Sequence, residues 1–190
     1  MGFPELYILR HGETEWNAEG RMQGRLHSAL TVKGIAQAQT QGDILSGRDL
    51  DGFEVISSPQ TRALHTAVEV FSRKVAMIST DARLCEVDVG QWQGRIRDEL
   101  QISGDPKATE DGPLAFYEQA EGGEGFAALR LRCSEFLTSL DGPKVLVTHG
   151  ITSRMLRAVY LGLDDDALVT LPGGQGVVYH LCDGVQTALK

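Results

Sequence analysis

Short apolar runs alternate along the chain with longer stretches in which apolar residues recur at helical spacing. The runs Leu6 to Leu9, Glu54 to Ser57, Met77 to Thr80, Lys144 to Thr148 and Val177 to Cys182 have the length and residue types of strands. Tyr7, Ile8 and Leu9 show no polar alternation, the pattern of a strand buried on both faces. Between the runs lie four stripes: Ile35, Ala38 and Leu45; Leu64, Ala67, Val68 and Phe71; Phe126, Leu129, Cys133, Phe136 and Leu140; Ile151, Met155 and Val159. Spacings of three, four or seven put each set on one face of a helix, so these stripes are core. The alternation predicts an α/β fold, a three-layer α/β/α sandwich around a mostly parallel central sheet.

Parallel strands buried by helices on both sides deliver ligand-binding residues at their carboxyl ends. The first strand ends in Arg10-His11-Gly12, and the run from Val145 ends in His149-Gly150 just as a helix begins. Exposed N–H groups at that helix start favour an anion. Ser58-Pro59 reads as a helix start, with serine capping and proline at the first helical position, which sets Arg62 in the first turn. Helical side chains lean toward the amino end, so the Arg62 guanidinium can point back to the edge where His11 emerges. Three segments distant in sequence are thereby expected at one spot. Residues 95–125 differ, being rich in glycine, proline and acids with a short helical pattern near Arg97 to Ile102, and are expected to form an inserted cap. Residues 1–190 otherwise read as one domain without linker or repeat.

Bulk composition narrows the partners. A formal charge of -8, with no basic stripe outside the proposed site, argues against nucleic acid. No run approaches the apolar length of a membrane span and no export signal opens the chain, so a cytoplasmic protein is expected. Cys85, Cys133 and Cys182 are scattered, odd in number and expected to be reduced. The five histidines include no i, i+4 pair, which leaves a metal site only to residues assembled in space. No cofactor is expected, and a homodimer stays open.

The triplet Arg10-His11-Gly12 is followed by Asn17, Gln23-Gly24, Leu30-Thr31 before Lys33-Gly34, Ser57-Ser58-Pro59 with Arg62-Ala63, Glu86 with Gly90, Trp92 and Gly94, and Thr148-His149-Gly150. In this order the motifs resemble those of the histidine phosphatase, or phosphoglycerate mutase-like, superfamily. The resemblance implies that His11 attacks phosphorus to form a phosphohistidine, with His149 beside it and Asn17, Gln23 and Gly24 contacting phosphate. Residue chemistry agrees. A neutral imidazole can approach an anionic monoester, provided its second nitrogen donates to a backbone carbonyl and fixes the tautomer. Arg10 and Arg62 offer planar, permanently charged clamps for the phosphoryl oxygens. His149 should donate to the transferring group. The alkoxide needs a proton, for which Glu86 is the first candidate and Asp88 the second.

The flank of Glu86 resembles the phosphatase branch rather than the mutase branch, which usually carries Arg-His-Tyr-Gly after that glutamate. The expected activity is metal-independent hydrolysis of a small phosphorylated metabolite. Mutase-type intramolecular phosphoryl transfer and a non-catalytic phosphate-ligand binder are the alternatives. Cys85 is not followed by the Cys-x5-Arg loop of a thiol phosphatase. Residues 173–176 lack the Lys-Ser or Lys-Thr of a nucleotide loop and read as a turn at the site rim. His65 reads as a surface residue, His180 as structural, and His27 has no assigned role.

Overall fold

The computed structural model describes residues 2–71, 77–100 and 114–190. Its elements are β1 (Leu6–Arg10), α1 (Glu15–Ala18), α2 (Val32–Ser46), β2 (Glu54–Ser57), α3 (Thr61–Phe71), β3 (Ile78–Thr80), α4 (Gly125–Thr138), β4 (Lys144–Thr148), α5 (Gly150–Tyr160), β5 (Val178–Cys182) and β6 (Val185–Leu189). They form a six-stranded sheet in the order β3-β2-β4-β1-β5-β6. The β3, β2, β4 and β1 strands run parallel, and β5 pairs antiparallel with both β1 and β6.

Strand alternation assigns the layers. Leu6 and Ile8 of β1 pack with Leu129, Cys133 and Phe136 of α4 and with Ile151 and Met155 of α5. Tyr7 and Leu9 pack on the other face with Ala38 and Leu45 of α2 and Ala63, Ala67 and Phe71 of α3. A three-layer α/β/α sandwich around a mostly parallel sheet results, as the apolar pattern anticipates. No helix among the described residues is long and apolar enough to cross a membrane.

Three details depart from expectation. Val68 is 45% exposed, because α3 buries Arg62, Ala63, Thr66, Ala67, Val70 and Phe71 instead. Two polar members of that face are consumed by the site, so polarity disguises the buried stripe. Strand β6 is absent from the apolar pattern, since its side chains are mostly exposed and carry no apolar alternation. Its turn does leave a signal: Asp183 at φ 49° and Gly184 at φ 74° form the Asp-Gly hairpin connection. Of the expected helical pattern near Arg97 to Ile102, a single 3-10 turn, Arg97–Glu99, is described. Ile102 and the acidic cap residues Asp105, Glu110 and Asp111 lie outside the described residues.

Candidate active site

Register, more than proximity in sequence, assembles this site. Arg10 pairs with Thr148 at the ends of β1 and β4, and Ser57 of β2 pairs with Val147. The next residues in each segment, His11, His149 and Ser58, therefore leave the sheet side by side at its carboxyl edge. The two imidazole centroids are 5.1 Å apart. Both rings are almost fully buried, at 2% and 0% exposure. Just beyond, the chain turns against α2 with backbone on backbone: a Cβ on Gly12 would sit 2.1 Å from the Gly34 carbonyl oxygen, and one on Gly34 2.0 Å from that of Glu13. Only paired glycines permit this approach.

His11 Nδ1 lies 2.7 Å from the Gly12 carbonyl oxygen. A carbonyl can only accept, so Nδ1 carries the hydrogen and Nε2 presents its lone pair. The same lone pair takes a hydrogen bond of 3.3 Å from Arg62 Nε, which is shared with His149 Nδ1 at 3.1 Å. Arg62 reaches this position from the first turn of α3 and is itself 2% exposed. Its terminal nitrogens donate to the carbonyls of Leu26 and Gly24, both at 2.8 Å. Burial lowers its pKa to about 10, partly offset by Glu86, which leaves the guanidinium charged at neutral pH. Helix α3 begins at Thr61 rather than Pro59, because the Gln60 carbonyl accepts from both Ala63 and Leu64 and takes over the capping position.

His149 is oriented differently from the expectation. Its Nδ1 accepts from Arg62, so its Nε2–H points to Ser58 Oγ at 2.8 Å rather than toward the cleft. Burial, and then the charges of Arg62, His11 and Arg10, hold its pKa well below the ordinary histidine value. The ring is thus neutral. Ser58, read from sequence as a helix cap, instead couples this ring to Gln60 N at 3.2 Å and to Cys85 Sγ at 3.8 Å.

Glu86 also takes an unexpected post. One carboxylate oxygen accepts from Val87 N, Thr152 N and Thr152 Oγ1 at 3.0, 3.1 and 3.0 Å, and the other from Ile151 N at 3.3 Å. The α5 N-terminus, expected to face a substrate anion, therefore receives this carboxylate. Glu86 still lines the cleft, whereas Asp88 turns to Gly90 N at 2.8 Å and to Arg25 at 3.7 Å.

The cleft is lined by Arg10, His11, Asn17, Gln23, Gly24, Arg62 and Glu86. Of the residues proposed from sequence, His149, which donates and accepts behind this wall, and the alternative acid Asp88 are not on it. The Arg10 guanidinium rests on the start of α5, 3.3 Å from where a Gly150 Cβ would stand. Asn17 forms a capping box with Thr14 and accepts a 3.3 Å bond from Gln175 Nε2 through Oδ1. Gln23 is 8% exposed, and its Oε1 meets no partner among the described residues. Gly24, at φ +50°, has Val89 and Gln93 within 3 Å of where a Cβ would stand, so its contribution is a close-packed carbonyl.

Sequence reading missed several members. Arg21, Arg97 and Tyr117 line the same cleft, and a polar extension continues past Arg21 and Arg97 to Glu13, Asp98 and Gln175. Arg21 stands two positions before Gln23 and was within reach of the motif. Gln60 donates to the Gly24 carbonyl at 3.0 Å and accepts from Glu86 N at 2.7 Å, linking the loops that carry them. Nothing near it in sequence betrays those partners. Thr66 accepts from Gly12 N at 3.0 Å, and Gln175 donates to the His11 carbonyl at 3.3 Å.

Comparison with known proteins places this arrangement. The family model of the histidine phosphatase superfamily (branch 1) matches residues 6–182. Glucosyl-3-phosphoglycerate phosphatase of Mycolicibacterium vanbaalenii is 35% identical over 93% of this chain and 82% of its own. GpmB of Salmonella paratyphi C, named as a probable phosphoglycerate mutase, is 35% identical over 84% of this chain and 75% of its own. Among solved structures, the alpha-ribazole phosphatase from Shigella flexneri superposes with a TM-score of 0.77 at 26% identity, covering 98% of this chain and 94% of that one. Taken with a buried histidine pair between arginines at the carboxyl edge of a parallel sheet, the match over residues 6–182 shows that the chain belongs to the histidine phosphatase superfamily, branch 1.

Proposed function

We propose that this protein is a phosphomonoesterase that hydrolyses a small phosphorylated metabolite through a phosphohistidine on His11. The observation that supports it most is the tautomer lock: Nδ1–H is spent on the Gly12 carbonyl, which leaves the Nε2 lone pair in a cleft walled by Arg10, Arg62 and Glu86. In the first step the His11 Nε2–P bond forms as the P–O bond to the leaving group breaks, and Glu86 gives that oxygen its proton. In the second, water attacks phosphorus, the N–P bond breaks and Glu86 takes a proton from the water. Arg10 and the remaining N–H groups of Arg62 neutralise the phosphoryl oxygens, with Asn17, Gln23 and Gly24 around them. His149 keeps its Nδ1 lone pair on the Arg62 Nε–H and its Nε2–H on Ser58 Oγ, and so holds that guanidinium in place for the phosphoryl group. The scheme draws its positive charge from side chains and calls on no cofactor or metal.

Residues 95–125 act in this reading as a cap within one domain of residues 1–190. Gathering guanidiniums in one cleft of a chain with net charge -8 suits a small anion better than a polyanion. Three free cysteines suit the cytoplasm, where such metabolites are found. Relatives of both kinds exist, so phosphoryl transfer within one substrate is the second reading, favoured by the GpmB likeness.

A panel of phosphorylated glycerates, sugars and amino acids, assayed for both inorganic phosphate and isomerised product, separates the two. Phosphate release with trapping of an acid-labile phosphoprotein is expected, and His11→Ala should lose both, with turnover down on the order of 10⁴-fold or more. Isomerisation without release would reject hydrolysis. Retained turnover in the variant would reject His11 as nucleophile.

A further inference from the structure

A second set of reactive side chains meets at the opposite end of β1, about 20 Å from His11 by the strand rise. Glu5 immediately precedes β1, and the antiparallel register that sets Leu6 against Leu181 brings Glu5 beside Cys182. His180 and Cys182 are two residues apart on β5 and share one face. A carboxylate oxygen of Glu5, a ring nitrogen of His180 and Cys182 Sγ all lie within 4.8 Å of one another. The shortest of these contacts, His180 Nε2 to Glu5 Oε1, is 2.6 Å. Asp183 adds a second carboxylate, with Oδ2 3.6 Å from Cys182 Sγ. All four residues are at least partly exposed, so an ion can enter from solvent.

The electrostatic setting favours a cation. The carboxylates of Glu5 and Asp183 set negative charge beside the Cys182 sulfur. A bound ion would neutralise that local negative charge. Two carboxylates by themselves would suggest a hard ion or none, but a thiol and an imidazole between them change the selection. Magnesium and calcium take oxygen ligands, whereas a set of S, N and O donors fits a borderline-soft ion in four-coordinate geometry.

We propose that Glu5, His180 and Cys182 bind one borderline-soft divalent ion, for which Zn²⁺ is the best match, with water in the fourth position and the Asp183 carboxylate beside the sulfur. On binding, the Cys182 S–H proton leaves to solvent as the sulfur–metal bond forms, and His180 ligates through a neutral nitrogen. Metal–ligand bonds of about 2.0–2.3 Å need ligand atoms roughly 3.5 Å apart, so Glu5 opens from its present contact by about 1 Å. Such an ion ties the exposed β5–β6 hairpin to the start of β1. It is a staple, remote from the phosphoryl chemistry and independent of it.

The full chain in a non-thiol reductant, titrated with Zn²⁺ against a chromophoric chelator, should take up one ion. Co²⁺ in its place should give the near-ultraviolet absorption of a thiolate ligand. Cys182→Ser should abolish that band, and Cys182→Ser and His180→Ala should each weaken Zn²⁺ by about tenfold or more. Zn²⁺ should raise the melting temperature of the parent and not of Cys182→Ser, while leaving phosphate release unchanged in both. Cys182→Ser nearly conserves volume at a part-exposed position, so a normal circular dichroism spectrum is expected. Absence of uptake by the parent, or equal uptake by both variants, would overturn the proposal.

Discussion

At the inner end of the cleft His11, Arg62 and His149 are 2%, 2% and 0% exposed, and each is oriented by named backbone or side-chain partners. At the outer end Arg21 keeps 33% of its side chain in solvent, pairs with Glu19, and stands over Trp16. Arg97 lies over Phe116 and donates to the Tyr117 hydroxyl at 3.4 Å. His11 and His149 leave adjacent strand ends, and Arg62 the helix that follows β2, in a sheet whose register cannot slip without turning every core side chain to the wrong face. The outer groups sit on loops and 3-10 turns, where substitutions leave the sheet untouched. Reaction chemistry is therefore tied to the fold, and substrate choice to its rim.

The largest effect that tests this division is at Glu86. Glu86→Gln should slow alkyl phosphates by roughly 10²- to 10⁴-fold, the usual contribution of a general acid, while aryl phosphates with good leaving groups lose far less. Equal loss on both classes would show that Glu86 serves only as the amino-terminal partner of α5. Gln60→Leu is a subtler probe of the same end. It keeps the volume but strips the part-buried Glu86 N–H of its acceptor, which costs about 1 kcal/mol. About tenfold of the alkyl-over-aryl discrimination should vanish with it if Gln60 positions the acid. A lowered melting temperature with unchanged discrimination would leave Gln60 a purely structural link.

Arg97→Met should instead raise KM about tenfold for a metabolite bearing a second negative group, with kcat nearly constant, the sign of uniform binding lost. A drop in kcat with KM unchanged would place Arg97 in the chemistry and erase the boundary between inner and outer ends.

How much of this was legible follows the same boundary. Strand ends carry their chemistry in contiguous motifs, so Arg10-His11-Gly12 and Thr148-His149-Gly150 could be read together and the parallel sheet inferred from Tyr7-Ile8-Leu9 and its counterparts. Side-chain direction could not be read. The turn of His149 toward Ser58 depends on a hydrogen from Arg62, a residue 87 positions away. Capping of α5 by Glu86 joins residues 65 or 66 apart, and no local pattern encodes it. Arg62 and Thr66 illustrate a further limit: they are buried because the site uses them, and a reading that sends polar residues outward rotates the helix face by one position.

The smallest effect concerns stability rather than rate and comes from His149. Its folded pKa lies well below the unfolded value, chiefly through burial and then through Arg62. Between those two values the unfolded chain binds a proton that the folded chain does not, so stability rises with pH through this window. As pH falls below about 6.5, the unfolded imidazole charges and the fold should lose up to about 1.4 kcal/mol per pH unit from this residue. His149→Asn removes the titrating group, so its melting temperature should start lower at pH 7.5 yet fall less steeply toward pH 5 than that of the parent. Parallel slopes in the two proteins would mean that the buried ring takes up its proton without resistance, contrary to a neutral imidazole locked between the Arg62 guanidinium and the Ser58 hydroxyl.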